Sequence, residues 1–418
     1  MAMTINQQPA KKAYCRAPVL YLINDTDFAL AGAQFEAWVY MWDGDITADK
    51  PTEPNYKLKK LPDRTGNAIF DTHNLLKGFF GDFPLDISAG LNNSNFVYNT
   101  QVEFYFSSDS TPQELRQTSS TIQFVYGYSY YLDKVNWENP IRTGQSGRDD
   151  FVERIIQDGG LIEAQSCIPQ MLLTELEDGF MTDRPTKSCI APNTNMSIGG
   201  IWNDGAAMDT IYIENDLGQS TSYDLSTISP VTDAEDTLWQ LPIGSDQFEA
   251  WKFSADTKWY YVVGTDGTTE ITHRYYFEIC EPCKWGYLNL AFINRYGVWD
   301  YVQFYGRQDE SYNVTSGEHM RSGARQFSNQ IQYLENGQFI RNNISGRTTV
   351  SCNTGFVKEE TSEVVKQLLL SDTVRDANTN EPYTIETSQE TYKLHRNEKL
   401  INYTLSVKKA YSIINTVM

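Results

Sequence analysis

The chain has 418 residues, 40 % of them hydrophobic and 21 % charged, with 54 acidic against 34 basic residues for a formal charge of −20. That apolar content suffices for packed cores and excludes a disordered chain. The acidic balance argues against wrapping nucleic acid or coating an anionic membrane, since both need clustered Lys and Arg. At roughly 100–200 residues per domain, the length predicts two to four domains. No apolar run approaches the roughly 20 residues that cross a bilayer. Residues 1–12 read as a polar arm without the apolar core of a secretory leader, so the expectation is a soluble protein not exported by that route.

Alternation with period two dominates from residue 13 onward, which is the signature of half-buried strands. Phe35, Ala37, Val39 and Met41 share one face, with Glu36, Trp38 and Tyr40 on the other. The pattern returns at Val102, Phe104 and Phe106, and again at Ile122, Phe124 and Tyr126. Between them a short helix is expected over 71–80, capped by Asp71 and buried through Leu75, Leu76, Phe79 and Phe80. Residues 13–135 therefore read as one β-sandwich domain.

A polar stretch with Pro140, Gly144 and Gly147 then suggests a linker and short amphipathic helix over 136–160. A second β-domain, 161–281, carries strands near Thr210 and Trp259 and an alternation from Ile271 to Ile279. Residues 151–250 hold 17 acids against Arg154, Arg184 and Lys187. A solvated face explains that charge; a surface that repels DNA and its own copies is the sharper reading. The third β-domain, 282–418, has a hairpin over 286–304 and a helix over 359–372. Glu359, Glu360 and Glu363 suit the helix start, and Val364, Val365, Leu368 and Leu369 its buried stripe. A long alternating strand through Ile401, Tyr403, Leu405 and Val407 closes the chain. The fold class is mainly β: tandem β-sandwich-like domains with a few short helices.

Chemistry-bearing patterns are sparse. Six cysteines are too few to staple a chain of this size, so reduced, mostly buried thiols are expected. Cys280 and Cys283 form the one CxxC. The spacing suits half a zinc site, with His273 or Cys352 as conceivable further ligands; a redox pair would need a βαβ context, and structural thiols are the reading favoured. Asp43, Asp45 and Asp49 hint at calcium, but Ala48 stands where an EF-hand loop needs Gly, and an ordinary turn is expected. Accidental carboxylate pairs are inevitable among 54 acids, and none stands out as a glycosidase pair. No phosphate-binding glycine loop, nucleophile elbow or HExxH occurs. The aromatic run FVYGYSYY at 124–131 could stack sugars; a strand with core on one face and a subunit interface on the other is the preferred reading.

Two longer stretches carry a resemblance. YLNLAFINRYGVWDYVQF at 287–304 resembles a hairpin of neck and tail proteins from bacteriophages of Bacteroidetes, including crAss-like phages. TGFVKEE at 354–360, LLLS at 368–371 and KLINYTLS at 399–406 are similar to the closing segment of the same proteins. GNAIFD at 66–71 resembles their first β-domain, and FMTDRP at 180–185 matches more vaguely. The hairpin departs from the pattern in Val298, where a second Gly is usual. The resemblance implies a non-enzymatic virion structural protein, made in the host bacterial cytoplasm, without catalytic residues or cofactors. It would assemble as a ring in the neck or tail and meet copies of itself, portal-side adaptors, a tail hub or fibres. Membrane contact is not expected, and genome DNA would only pass through. A receptor- or carbohydrate-binding tail protein is the alternative, and a polysaccharide-degrading enzyme a more distant one.

Overall fold

The structure is a computed structural model describing residues 3–9, 12–43, 49–81, 85, 92–94, 97–128, 179–202, 208–227, 237–245, 247, 256–281, 286–333, 339–386 and 400–412. The expected linker 136–160, Asp45, Ala48, Cys167 and Cys283 lie outside these. The chain is mainly β, and its contacts group into two compact units. One comprises Met1–Cys280 with Ile293–Asp300, the other Glu281–Phe292 with Tyr301–Met418.

The first unit contains two pairs of sheets. In one pair, Met3–Gln7, Leu20–Asp25 and Asn67–Asp71 form a three-stranded sheet. It packs on a larger sheet in which Val97–Ser107 runs antiparallel to Gln34–Trp42. The alternation at 35, 37, 39 and 41 puts these side chains in the core, fully buried. Tyr21 and Phe70 of the small sheet meet Phe104 of the large one at ring-centroid distances of 5.7 and 5.9 Å, the interdigitation that holds a sandwich together. On the outer face of the large sheet, Trp38 stacks on Tyr105 at 4.2 Å, and the Lys57 ammonium lies 3.8 Å above the Trp38 ring. That indole is already covered, which removes it as a sugar platform.

The second pair joins a five-stranded sheet, ordered Lys187–Ile190, Tyr275–Ile279, Trp259–Thr265, Thr210–Asn215 and Ser220–Asp224, to a three-stranded one. The smaller sheet consists of Ser197–Trp202, Thr237–Pro242 and Asn92–Ser94. Through Asn92–Ser94 the stretch expected as the first domain contributes a strand to the second, and both belong to one unit.

Several expected elements differ in detail. The polar arm contributes a strand, Met3–Gln7, with Met3 buried; its alternation is short and set among Asn and Gln, so it reads as polar. The first helix is His73–Phe79, and Thr72 holds the cap position. Asp71 ends a strand instead, its carboxylate accepting from the His73 backbone N–H at 3.1 Å. The alternation from Ile271 yields a strand only over Tyr275–Ile279, because the Ile271 and Thr272 N–H groups turn back to the Gly264 carbonyl. In the aromatic run, Phe124, Val125, Tyr126 and Tyr128 are all buried, so its described part has no free interface face. The Arg16 guanidinium lies 4.8 Å from the Tyr128 ring centroid and 5.5 Å from that of Tyr126, and the Tyr128 N–H donates to the Arg295 carbonyl.

The second unit is built on a seven-stranded sheet, ordered Trp299–Phe304, Leu288–Ile293, Val374–Asp376, Pro382–Ile385, Leu400–Lys409, Phe339–Lys358 and Asp309–Met320. The helix expected over 359–372 is a 3₁₀ turn, Glu359–Thr361, followed by Ser362–Leu370, and it stops where Ser371 takes extended backbone. Its Val364, Val365 and Leu368 join Leu290, Phe292, Cys352 and Leu405 in the core. The closing strand alternates as expected, with Ile401, Tyr403, Leu405 and Val407 buried.

Candidate functional site: an exposed β-ribbon

The sequence reading assigns no element to 309–320 or to the first half of 339–358, where Asn, Ser, Thr, Gly and Arg predominate. In the structure these residues form the longest strand pair among the described residues. Asp309–Met320 pairs antiparallel with Phe339–Lys358, from Asp309 opposite Ser351 to Met320 opposite Phe339. The next strand of the sheet, Leu400–Lys409, accompanies Phe339–Lys358 only from Thr349 onward. Tyr312–Met320 and Phe339–Thr348 therefore continue as a two-stranded ribbon, about 30 Å long at the usual rise per residue. Beyond it a small hairpin pairs Ala324–Phe327 with Gln330–Tyr333.

Two bulges set which side chains share a face of the long strand. Between the pairs Thr315–Ser345 and Gly317–Asn342 the long strand spends one residue more than its partner. That extra residue accompanies Asn343, whose φ of 49° is left-handed, a conformation Asn tolerates better than most residues. A second extra residue falls between Asn353 and Phe356, with Gly355 at φ 72°. There the Asn353 carboxamide accepts from the Gly355 N–H at 2.7 Å, and the Thr354 hydroxyl accepts from the Tyr403 N–H at 3.0 Å. The second bulge moves the core-facing parity from Val350 and Cys352 to Val357.

The first bulge has the corresponding effect on the ribbon. The register puts Tyr312, Val314, Ser316, Glu318 and Met320 on one face with Ile344, Arg341 and Phe339 of the facing strand. The Arg341 guanidinium donates to the Ser316 hydroxyl at 3.1 Å, as same-face neighbours do. Asn313, Thr315 and His319 lie on the opposite face with Ser345 and Arg347. The first side is thus the more apolar, with Ser316, Glu318 and Arg341 set among its large side chains, and the second is polar apart from Ile340. The apolar side is open: Tyr312 is 67 % exposed, Val314 54 %, Met320 68 % and Phe339 64 %. The outer backbone edge of Asp309–Met320 pairs with no described strand, and the strand contains neither Lys nor Pro, the residues that ordinarily blunt such an edge.

A second cluster, wholly within the first unit, unites two stretches that the sequence analysis singles out separately. Residues 180–185 lie against the hairpin tip 294–300. The Asn294 side chain, fully buried, donates to the Met181 carbonyl at 2.7 Å and accepts from the N–H groups of Tyr296 and Val298 at 3.0 and 3.2 Å. Gly297 supplies the left-handed turn at φ 90°. Val298 is buried and closes the hairpin through its carbonyl, which accepts from the Asn294 N–H at 2.9 Å. The missing second glycine therefore costs the turn nothing. Asp300 accepts from Thr182 at 2.7 Å and from the Arg184 guanidinium at 2.8 Å. Asp183 pairs with Arg295 at 2.8 Å and accepts from the Tyr296 hydroxyl at 2.7 Å. Burial, reinforced by the Asp183 charge, holds that phenol well above its usual range. The recess beside Asp300 measures about 10 Å³, at most the room of one water. This polar cluster fixes the hairpin, with no space for a substrate.

The cysteine candidates are corrected by the structure. Parallel pairing of Lys187–Ile190 with Tyr275–Ile279 brings the Cα atoms of Cys189 and Cys280 to 5.9 Å, and the two form a disulfide across 91 residues of sequence. Cys280 is therefore oxidised and offers no thiolate to a metal, contrary to the expectation of reduced thiols. Cys283 lies outside the described residues. His273 is exposed, and Cys352 is buried in the core of the second unit, where burial pushes its thiol up to about 12. Among the described residues, no group of three or more His, Cys, Asp or Glu is placed to hold a metal ion.

No protein-family model matches the chain, and no curated protein matches it. Among solved structures it is similar to CBD12 from CALX1.2, at 8 % identity, covering 63 % of this chain and 79 % of that one. The TM-score of 0.17 is too low for that likeness to carry an argument.

Proposed function

We propose that the chain is a non-enzymatic structural component of a tailed-phage virion, assembling as a ring in the neck or tail and connecting neighbouring tail proteins. The observation that carries this reading is the ribbon, an amphipathic element whose apolar face is open. A two-stranded ribbon is marginal by itself in water, and an open apolar face of this kind marks an interaction surface. The resemblance of 287–304 and 354–406 to phage neck and tail proteins supports the same reading. In a ring each subunit meets the next through two different surfaces, and a projecting element that fits a patch elsewhere on its own kind closes such a circle.

The test is mass spectrometry of purified particles of a phage encoding the chain. The chain should be present in several copies per particle. Its absence from particles, or turnover of host surface polysaccharide by the purified protein, overturns the reading.

A further inference from the structure

We propose that the Cys189–Cys280 pair is a surface thiol-exchange site, which low-molecular-weight disulfides close and low-molecular-weight thiols open while the chain stays folded. Both cysteines belong to the first unit, and the site does not depend on the assembly reading.

Two features carry this: access to one sulfur, and a strand that is anchored without the bond. Among the described residues Lys187–Ile190 is an edge strand of its sheet, and Cys189 on it is exposed. Cys280 is half-buried, one residue past the end of Tyr275–Ile279. An incoming sulfur can therefore reach Cys189 without the sheet opening, and an exposed disulfide is the labile kind. The strand has other anchors. Ile190, beside Cys189, is 1 % exposed in the core, and all four residues of the strand pair in register with Tyr276–Ile279. Flanking backbone bonds extend the ladder: the Tyr276 N–H donates to the Thr186 carbonyl at 2.7 Å and the Cys280 N–H to the Ile190 carbonyl at 2.8 Å. Cys15 and Cys352 provide the contrast, since both are free thiols sealed from solvent.

Closure consumes one small disulfide. The Cys189 thiolate, its proton lost to water, attacks one sulfur of that disulfide, forming a mixed disulfide and expelling a thiolate. The Cys280 thiolate then attacks the Cys189 sulfur, so the protein bond forms and a second thiolate leaves. The protein dithiol is oxidised by two electrons and the small disulfide is reduced by two. Opening runs the same steps backward. Synthesis in a reducing cytoplasm would leave the pair open, and release into an oxidising medium would close it.

The experiment equilibrates the full chain in glutathione buffers of graded reduced-to-oxidised ratio, labels it with N-ethylmaleimide, and maps each cysteine by mass spectrometry. Rising reduced glutathione should convert Cys189 and Cys280 together from the linked to the labelled form, with circular dichroism unchanged. Cys15 and Cys352 should label at least about a hundredfold more slowly, because burial makes them wait for unfolding. In C280S/C283S, which removes Cys280 and its CxxC neighbour, Cys189 should hold a glutathione adduct. In C189S/C283S the half-buried Cys280 should gain one at least about tenfold more slowly. A pair that opens only where circular dichroism is lost, or never opens, overturns the site. So does a Cys280–Cys283 bond in the natural chain, or a folded C280S/C283S that takes no glutathione. Should either variant fail to fold, the titration of the natural chain decides. None of these readouts involves particles, so the assembly reading stands or falls separately.

Discussion

Asn294 performs with one side chain what a turn ordinarily asks of several. It closes the hairpin tip on itself and ties that tip to the Met181 carbonyl. Replacing it with Ala strands three buried backbone groups, and Asn294→Ala should lower stability by about 2–4 kcal/mol in urea unfolding. Acid sensitivity has its own residues on the outer face of the large sheet. Burial pushes the Glu36 carboxyl up, but Lys59 at 2.6 Å, with hydrogen bonds from Trp38 and Gln113, more than offsets it. Glu103 is likewise held below its usual range, against the effect of burial, by Lys50, Tyr40 and Tyr105. Carboxylates depressed in the folded state contribute stability that is complete above their unfolded value, near 4.3 for Glu, and that disappears as pH falls through the folded value. Urea midpoints should therefore drop on acidification below about pH 4.3, and the drop should be shallower in E36Q/E103Q. The alternation placed Glu36 on the outward face from sequence alone. Trp38 shares that face of the same strand, but Lys59 and Gln113 come from segments that no local pattern pairs with it.

At the scale of elements, the Cys189–Cys280 disulfide joins two parallel neighbours that are far apart along the chain. Closing a loop of that length removes unfolded-state entropy worth roughly 4–5 kcal/mol. Calorimetry with and without reductant should show the first unit melting at lower temperature when reduced, and C189S/C280S should reproduce the shift without reductant. Spacing could not have announced this pair, since the neighbouring CxxC drew attention to the wrong partner. The legible strands were those that bury at least one face, such as Gln34–Trp42, the hairpin strands Leu288–Ile293 and Trp299–Phe304, and Leu400–Lys409. Burial is what imposes strict alternation on a sequence. The ribbon was illegible for the same reason: no core among the described residues edits it, and its bulge breaks the period midway.

For the whole molecule, the tandem β architecture was readable from periodicity, but its partition was not. A three-residue strand, Asn92–Ser94, is too short to register as a pattern, yet it ties the first β-segment to the second. The ribbon also makes a prediction about the free chain. Among the described residues its two strands have no third strand to hold them, so brief trypsin treatment of dilute protein at high salt should cut first at Arg325 and Arg341. Gel analysis should then show a long N-terminal and a short C-terminal fragment, with the buried Arg116 site untouched. Asn343 bears on how such an arm can be inherited. Excising that single residue would leave Arg341 opposite Glu318 and Phe339 opposite Met320, so the greasy row would stay on one side of the strip. Lineages that shorten this arm can thus lose that one residue at the cost of the bulge's local kink alone.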